Sequence, residues 1–193
     1  MPEDKKRTKK EVNSEEQSLT VQEIKIGPTV LFDSSFILAL LNSRDSNYQA
    51  VSAIFGFIKP YNCCFHIPAY VFAEVISKRI HQLGKVSVAL KDVRKFLEQR
   101  PGVMTGGSSL TLVDMINRYK ELARKKIRFL QSNDFFIVSE GILLKALILT
   151  CDHTMYKKVK KYYKDIYYVA THSKKYKSDA SKFTERFIQM TKS

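Results

Sequence analysis

Residues 24–36 read IKIGPTVLFDSSF, and they set the interpretation of the rest of the chain. The β-branched and apolar run Thr29 to Phe32 predicts a short buried strand, and Ser34 then opens an apolar-periodic segment that predicts a helix. Asp33 lies at the junction. Ligand crevices of open α/β sheets lie outside the carboxyl ends of the strands, so this position suits chemistry. Aspartate is also a good helix cap, and taken alone the stretch favours that simpler role.

The remaining sequence alternates strand and helix patterns. Further strands are predicted at residues 63–68 (CCFHIP), 146–150 (ALILT) and 166–171 (IYYVAT). Helices are predicted at residues 34–42, 48–58, 69–83, 86–99, 112–130, 132–145 and 153–164, whereas residues 100–109 (RPGVMTGGSS) are predicted to form a loop. Strands that alternate with helices predict a three-layer α/β/α sandwich with a central parallel sheet.

Composition divides the chain into three segments. Residues 1–23 are polar and show no periodicity, so we expect a disordered N-terminal extension. Residues 24–172 carry the strand and helix patterns and form the predicted domain. Residues 173–193 are expected to be a basic C-terminal tail, in which Phe183, Phe187 and Ile188 could line one side of a short helix.

The overall charge points to an anionic partner. The 193 residues are 44% hydrophobic, which is enough for a packed core and excludes a wholly disordered chain. Lys and Arg number 33 against 19 Asp and Glu, which gives a formal net charge of +14. Nucleic acid is therefore the first candidate partner, and an anionic membrane surface is the second.

Cysteine usage and hydropathy indicate the compartment. The three cysteines include the adjacent pair Cys63 and Cys64, which fits neither a disulfide framework nor a spaced set of metal ligands. The N-terminus lacks the apolar core of a signal peptide, and no apolar run approaches the ~18 residues of a membrane span. We therefore expect a soluble, cytoplasmic protein that does not enter a membrane.

Four acidic residues are candidates for one shared site. Asp33 and Asp152 each follow a predicted buried strand, and a parallel sheet places the carboxyl ends of its strands at one edge. Glu74 and Asp134 lie on predicted helices that can reach the same crevice.

The charges are distributed unevenly along the chain. Residues 28–77 and 131–152, which supply the four acids, are net acidic, whereas residues 78–130 and 153–193 are strongly basic. Carboxylates bind divalent cations that neutralise phosphate charge and activate water, and Lys and Arg hold a polyanion. The pattern suits a metal-dependent nuclease. It suits equally a protein whose basic helices are solvated and whose acids are unrelated turn residues.

The acids and their surroundings resemble those of the PIN-domain family. Residues 30–55 (VLFDSSFILALLNSRDSNYQAVSAIF) are similar to the strand and Asp-Ser/Thr helix start that open the family's domain. Residues 67–79 (IPAYVFAEVISKR) place Glu74 where the family has a helix-borne acid. Residues 132–152 (SNDFFIVSEGILLKALILTCD) match the third and fourth acids, 18 residues apart. Phe135 departs from the small residue that often follows the third acid.

The resemblance implies a PIN-like, Rossmann-like fold and a Mg²⁺- or Mn²⁺-dependent endoribonuclease, similar to VapC toxins and to PIN nucleases that process ribosomal RNA. The implied metal ligands are the primary pair Asp33 and Asp152, with Asp134 and Glu74 completing the site or holding a second metal. Ser35 and Thr150 would orient the carboxylates. The reaction would be hydrolysis of an RNA phosphodiester bond by water activated at the metal.

The resemblance also implies partners. They are RNA and either an antitoxin or a ribosome-related factor, and a homodimer is a further option because PIN toxins often pair. Two alternatives stay open: a PIN-fold RNA-binding or scaffold module that has lost cleavage, and a DNA-directed nuclease. The presence of all four acids counts against the first of these.

Basic residues on two predicted helices are candidates for phosphate contacts. They are Arg124, Lys125, Arg128, Lys157, Lys158, Lys160 and Lys161. The interleaved Tyr156, Tyr162 and Tyr163 could stack on unpaired bases, but packing in the core is favoured for them. His66 has no partner at ligand spacing, so a core or surface role is favoured over metal binding.

Overall fold

The computed structural model describes residues 27–98, 103–104, 132–171 and 177–192, together with five isolated helical positions at 113, 117, 120, 121 and 124. The predicted N-terminal extension, residues 1–23, lies outside this range. The helix predicted at residues 112–130 is observed at the five isolated positions, and the rest of it lies outside the described residues.

A parallel sheet of five strands forms the centre of the fold, in the order β3-β2-β1-β4-β5. The strands are β1 (Thr29–Phe32), β2 (Cys64–His66), β3 (Val103–Met104), β4 (Leu147–Thr150) and β5 (Ile166–Tyr168). Every neighbouring pair runs parallel. The chain builds the sheet outward from β1 through β2 to β3 and then returns to the other side of β1, so the strand order switches between β1 and β4.

Helices flank the sheet, which confirms the predicted α/β class with a central parallel sheet. They are α1 (Ser34–Leu40), α2 (Tyr48–Ile58), α3 (Ala69–Leu83), α4 (Val86–Glu98), α5 (Ser132–Leu143), α6 (His153–Val159) and α7 (Ala180–Lys192). Each residue of β4 is buried, as expected for a strand in the interior of a parallel sheet covered on both faces. No helix among the described residues is long and apolar enough to cross a bilayer.

Aromatic packing joins β1 to its neighbours. The Phe32 ring stacks on Phe65 of β2 with centroids 5.5 Å apart and on Phe36 of α1 at 5.2 Å. All three side chains are at most 2% exposed. The apolar residues that predict β1 and α1 in the sequence are therefore also those that hold the end of β1 in place.

The prediction of a loop at residues 100–109 is wrong at two positions, because Val103 and Met104 form β3. This strand pairs with β2 through Phe65↔Val103 and His66↔Met104. Two residues are too few to show a strand period in sequence, and the neighbouring Pro101, Gly102, Gly106 and Gly107 indicate a loop.

The C-terminal segment contributes to the same core. Phe183 and Phe187 of α7 are fully buried, and their rings contact Tyr167 of β5 and Phe57 of α2 with centroids 5.5 and 5.7 Å apart. The predicted short helix with these two phenylalanines on one side is confirmed. The helix Ala180–Lys192 therefore packs against the domain, whereas the sequence suggested a tail beyond it.

Gly141 allows α5 to approach β4 closely. A Cβ atom at this position would lie 2.4 Å from Cδ1 of Ile148. We expect Gly141→Ala to lower the free energy of unfolding by roughly 1–2 kcal/mol through overpacking. The matched variant Gly56→Ala lies in α2, where a Cβ meets nothing within 4 Å, and should raise stability by about 0.5–1 kcal/mol. Urea unfolding of both variants checks the pair, and equal shifts would contradict the close approach.

Candidate active site

Asp33 lies at the carboxyl end of β1, in the N-cap position of α1. Its backbone N–H donates to the carbonyl oxygen of Leu149 at 3.0 Å, which fixes the end of β1 beside β4. The carboxylate makes no capping hydrogen bond, so the simpler role favoured by the stretch alone is not what the side chain does. It is buried, with 4% of the residue exposed.

Two hydroxyl groups hold the Asp33 carboxylate. Oγ of Ser35 donates to Oδ2 at 2.5 Å, and Oγ1 of Thr150 donates to the same oxygen at 2.8 Å. Burial raises the pKa of Asp33 above its ordinary value, and these two hydrogen bonds oppose the rise without cancelling it. A carboxylate that is difficult to ionise in the folded protein is one that a nearby cation would stabilise.

The same hydroxyls connect Asp33 to the end of β4. Oγ of Ser35 accepts the backbone N–H of Cys151 at 2.9 Å, and Oγ1 of Thr150 accepts that of Asp152, also at 2.9 Å. The carboxyl ends of β1 and β4 thus form one hydrogen-bonded unit. Ser35 and Thr150 make the contacts that an orienting role requires.

Asp152 is the N-cap of α6. Its Oδ1 accepts the backbone N–H groups of Thr154 and Met155 at 2.7 and 3.0 Å. The capping role considered for Asp33 therefore belongs to Asp152, which combines it with a position at the sheet edge.

Glu74 projects from α3 and is held by Lys78 and Asn133, with a further hydrogen bond from the Ser34 side chain. Its Oε1 pairs with Nζ of Lys78 at 2.5 Å, and Nδ2 of Asn133 donates to its Oε2 at 3.1 Å. Partial burial works to raise the pKa of Glu74, but the charge and hydrogen bond of Lys78 and the hydrogen bond from Asn133 hold it below its ordinary value. Asn133 therefore ties α5 to α3.

Asp134, in the first turn of α5, interacts electrostatically with the other three acids. Burial raises its pKa to about 6, and the charges of Asp33, Asp152 and Glu74 contribute, while Lys158 opposes them. These charge effects indicate that the carboxylates of Asp33, Asp152 and Glu74 lie in the neighbourhood of Asp134. Among the described residues, however, no three His, Cys, Asp or Glu side chains are already arranged around a point as metal ligands.

The raised pKa of Asp134 predicts a pH-dependent stability. An acid with a folded pKa of about 6 and an ordinary value of 3.8 destabilises the fold when ionised, so stability is lost as pH rises through this window. In the metal-free protein, Asp134→Asn should raise the free energy of unfolding by roughly 1 kcal/mol above pH 7, after discounting for partial exposure. The gain should vanish below pH 4. Urea unfolding across this pH range measures it, and a gain independent of pH would contradict the shift.

The predicted basic residues divide into three groups. Lys158 lies near the acids, since its charge lowers the pKa of Asp134. Lys157 and Arg124 are exposed on helices, whereas Lys161 is exposed in the turn after α6, because the helix predicted at residues 153–164 ends at Val159. The Lys160 ammonium instead donates to the carbonyl oxygens of Lys164 and Ile166 at 2.8 and 2.7 Å, which is a structural role. Lys125 and Arg128 lie outside the described residues.

The tyrosines of the basic segment pack into the fold. The Tyr163 hydroxyl donates to the carbonyl oxygens of Gly141 and Ala146 at 2.9 and 2.5 Å. Tyr156 and Tyr162 are partly buried against the core. The core role favoured for these residues agrees with their positions.

A buried pair that the sequence does not reveal joins β2 to α5. His66 Nε2 and Glu140 Oε2 are 2.7 Å apart, with side chains 6% and 0% exposed. The core role favoured for His66 is confirmed, and its partner is 74 residues away on α5. Glu140 carries no local sequence signal, because it lies in an otherwise apolar helix segment.

The donor set fits a divalent cation in its chemistry. All four candidate side chains offer carboxylate oxygens, the ligands that Mg²⁺ and Mn²⁺ prefer. Burial and mutual repulsion raise the pKa values of Asp33 and Asp134, and a cation would relieve both effects. Glu74, held by Lys78 and Asn133, is the least available of the four.

Solved structures share this fold. The Mycobacterium tuberculosis VapC20 structure, described as a sarcin-ricin loop cleaving toxin, matches at 14% identity and a TM-score of 0.52, over 67% of this chain and 95% of that one. VapBC2 from Rickettsia felis, bound to a promoter DNA fragment, matches at 16% identity and a TM-score of 0.53, over 68% of this chain and 92% of that one. DNA-bound VapBC from Salmonella typhimurium matches at 13% identity and a TM-score of 0.53, over 67% of this chain and 91% of that one. No protein-family model matches the chain, and no curated protein matches it significantly. At these identities the likeness establishes a PIN-like fold.

Proposed function

We propose that this protein is a Mg²⁺- or Mn²⁺-dependent endoribonuclease that acts in the cytoplasm. The observation that carries the proposal is the hydroxyl network of Ser35 and Thr150, which joins the Asp33 carboxylate to the backbone of Cys151 and Asp152 where β1 and β4 meet. Unrelated turn acids would have no reason to converge on the strand-order switch, which is where open α/β sheets bind ligands.

The contacts of Ser35, Thr150 and Glu74 support the role proposed for each of them. Asp33 and Asp152 would hold the cation, and Ser35 and Thr150 keep the two strand ends in register through the hydroxyl network. Asp134 would complete the site, and Glu74 would act through Asn133 or a water molecule. The bound cation supplies Lewis-acid stabilisation of the phosphate and a lowered pKa for water. Lys158 would help to hold the substrate backbone beside the acids.

RNA is the proposed substrate, and a protein partner is also proposed. The matched VapC20 structure is described as cleaving the sarcin-ricin loop, and the two VapBC structures are complexes bound to DNA. By analogy with these proteins, we propose an antitoxin-type or ribosome-related partner and a homodimer for this chain. The high net charge of +14 suits binding to a polyanion.

A second candidate is a PIN-fold RNA-binding module without cleavage. It is favoured by the absence of a preassembled ligand group among the described residues and by the ion pair that occupies Glu74. Under this alternative the protein would bind RNA, and divalent cations would change neither the RNA nor the melting temperature.

The test is a cleavage assay on labelled single-stranded RNA and single-stranded DNA. We expect RNA cleavage with Mg²⁺ or Mn²⁺, none in excess chelator, and a higher melting temperature with the cation because it binds only the folded state. RNA that stays intact while remaining bound would support the binding module. Preferential cleavage of DNA would favour the DNA-directed nuclease, and full activity in chelator would refute the metal site.

A further inference from the structure

Lys78 brings a positive charge to one of the four acids. Its ammonium pairs with Oε1 of Glu74, one helical turn earlier in α3, at 2.5 Å. The Glu74 side chain is 21% exposed and the Lys78 side chain 53% exposed, so the carboxylate is mostly covered while the lysine stem runs along the surface. The proposed chemistry gives Lys78 no role of its own.

Two hydrogen bonds place the Glu74 carboxylate beside the other acids. Asn133, the residue before Asp134, donates to its Oε2 at 3.1 Å. Ser34, the residue after Asp33, donates a side-chain hydrogen bond to the same carboxylate. The Glu74 carboxylate therefore lies between the start of α5 and the start of α1, and the ammonium paired with it lies there too.

Glu74 is already satisfied as an ionised acid. Its three partners occupy most of the roughly four acceptor positions of a carboxylate, and they hold its pKa below the ordinary value although burial opposes them. Asp33 and Asp134 differ, because burial raises the pKa of each of them. A divalent cation would therefore stabilise these two aspartates more than it would stabilise Glu74.

A divalent cation bound to Glu74 would also be repelled by the Lys78 ammonium. Charges of +2 and +1 that lie about 5 Å apart weaken binding by roughly 10-fold even at the dielectric constant of bulk water. The Glu74 carboxylate is mostly buried, and a lower local dielectric constant would make the repulsion larger.

The charges of the site balance with one divalent cation. When ionised, the four acids carry four negative charges, and Lys78 and Lys158 bring two positive charges to Glu74 and Asp134. A single divalent cation neutralises what remains. A second one would leave the site with an excess of positive charge before any RNA is bound.

We propose that the Lys78 ammonium takes the place of a second divalent cation, so that the folded protein binds only one. Asp33, Asp134 and Asp152 would hold this cation, while Glu74 stays paired with Lys78. The inference rests on the proposed function, because it takes the carboxylate site as a metal site. It decides between the two roles open to Glu74, which are completing one site and holding a second metal.

The test counts bound Mn²⁺ per chain, from the electron paramagnetic resonance signal of the free ion during a titration without RNA. We expect one Mn²⁺ for wild type. Lys78→Met removes the charge at a half-exposed helix position, and methionine and lysine have similar helix propensities. This variant should bind a second Mn²⁺, with affinity on the order of 10-fold above any further binding by wild type. Melting temperatures verify folding, and Lys78→Gln serves the same purpose if the methionine variant does not fold.

Two control variants separate the charge at this position from other effects. Lys78→Arg keeps the positive charge and should still bind one Mn²⁺. Arg94→Met removes the cation of another i,i+4 pair, with Glu98 in α4, and should also bind one. A second Mn²⁺ that binds Arg94→Met as well as it binds Lys78→Met would overturn the proposal, and so would a Lys78→Met variant that binds only one.

The count for wild type also separates this inference from the proposed function. Two Mn²⁺ of similar affinity, together with RNA cleavage, would leave the nuclease proposal standing and overturn the role of Lys78. No bound Mn²⁺ would refute the metal site, and the inference with it.

Discussion

Asp33→Asn and Asp152→Asn should each reduce RNA cleavage by roughly 1,000-fold or more. Several kcal/mol of transition-state stabilisation depend on a bound cation, and each 1.36 kcal/mol corresponds to about a factor of ten in rate. Asparagine has nearly the same shape as aspartate and still caps a helix, so Asp152→Asn should preserve the cap of α6. Single-turnover cleavage of labelled RNA at saturating Mg²⁺ or Mn²⁺ measures the loss.

Binding and stability provide the controls for these variants. RNA affinity in chelator should change little, because the basic residues are untouched. Asp33→Asn should raise the melting temperature of the metal-free protein, since burial raises the pKa of Asp33 and the neutral side chain avoids that cost. Thr150→Val, which removes a hydroxyl that orients Asp33, should have an intermediate effect of roughly 10- to 100-fold. Undiminished cleavage by either asparagine variant would refute the assignment of the site.

Glu140→Ala should lower the free energy of unfolding by roughly 3–5 kcal/mol. The substitution leaves His66 buried without its hydrogen-bond partner and opens a cavity where the Glu140 side chain was, and an unpaired buried polar group and a cavity are both costly. Oε1 of Glu140 is itself buried with no partner among the described residues, so the pair is already imperfectly satisfied. Chemical denaturation with a two-state fit measures the change.

Two further variants test the cause of that loss. Glu98→Ala removes an exposed ion pair in which the Arg94 side chain is 81% exposed and the Glu98 side chain 62% exposed. This variant should lower the free energy of unfolding by less than about 1 kcal/mol. The double variant His66→Leu with Glu140→Leu should recover most of the stability, because apolar replacement of both partners is often neutral or favourable. A double variant no more stable than Glu140→Ala would contradict the argument from burial.

The central part of the fold could be predicted because its signals are local. β1 and α2 have the predicted bounds, Thr29–Phe32 and Tyr48–Ile58, since a buried strand and an amphipathic helix each leave a periodic pattern. The sequence predicts Asp33 and Asp152 as site residues from their places at strand ends, and Glu74 and Asp134 from their places on helices together with the family resemblance. A parallel sheet puts the ends of β1 and β4, and so Asp33 and Asp152, at one edge.

Other features depend on contacts that no local pattern encodes. β3 is recognisable only through its pairing with β2, and the His66–Glu140 pair joins elements 74 residues apart. Lys160 looks like its neighbouring lysines in sequence, yet its ammonium is bound by two backbone carbonyls. The sequence does not predict that the C-terminal helix contributes to the core, because its apolar face is narrow. Phe183 and Phe187 of this helix are nevertheless fully buried.

The order of the strands also determines when the site can exist during protein synthesis. Asp33 and Thr150 are 117 positions apart, and β4 inserts beside β1 in the interior of the sheet. A nascent chain that has emerged only as far as α4 therefore lacks the strand that completes the carboxylate site. Pairing over such a separation is also slow to form. We expect this edge of the sheet to remain incomplete in the growing polypeptide until β4 has been translated.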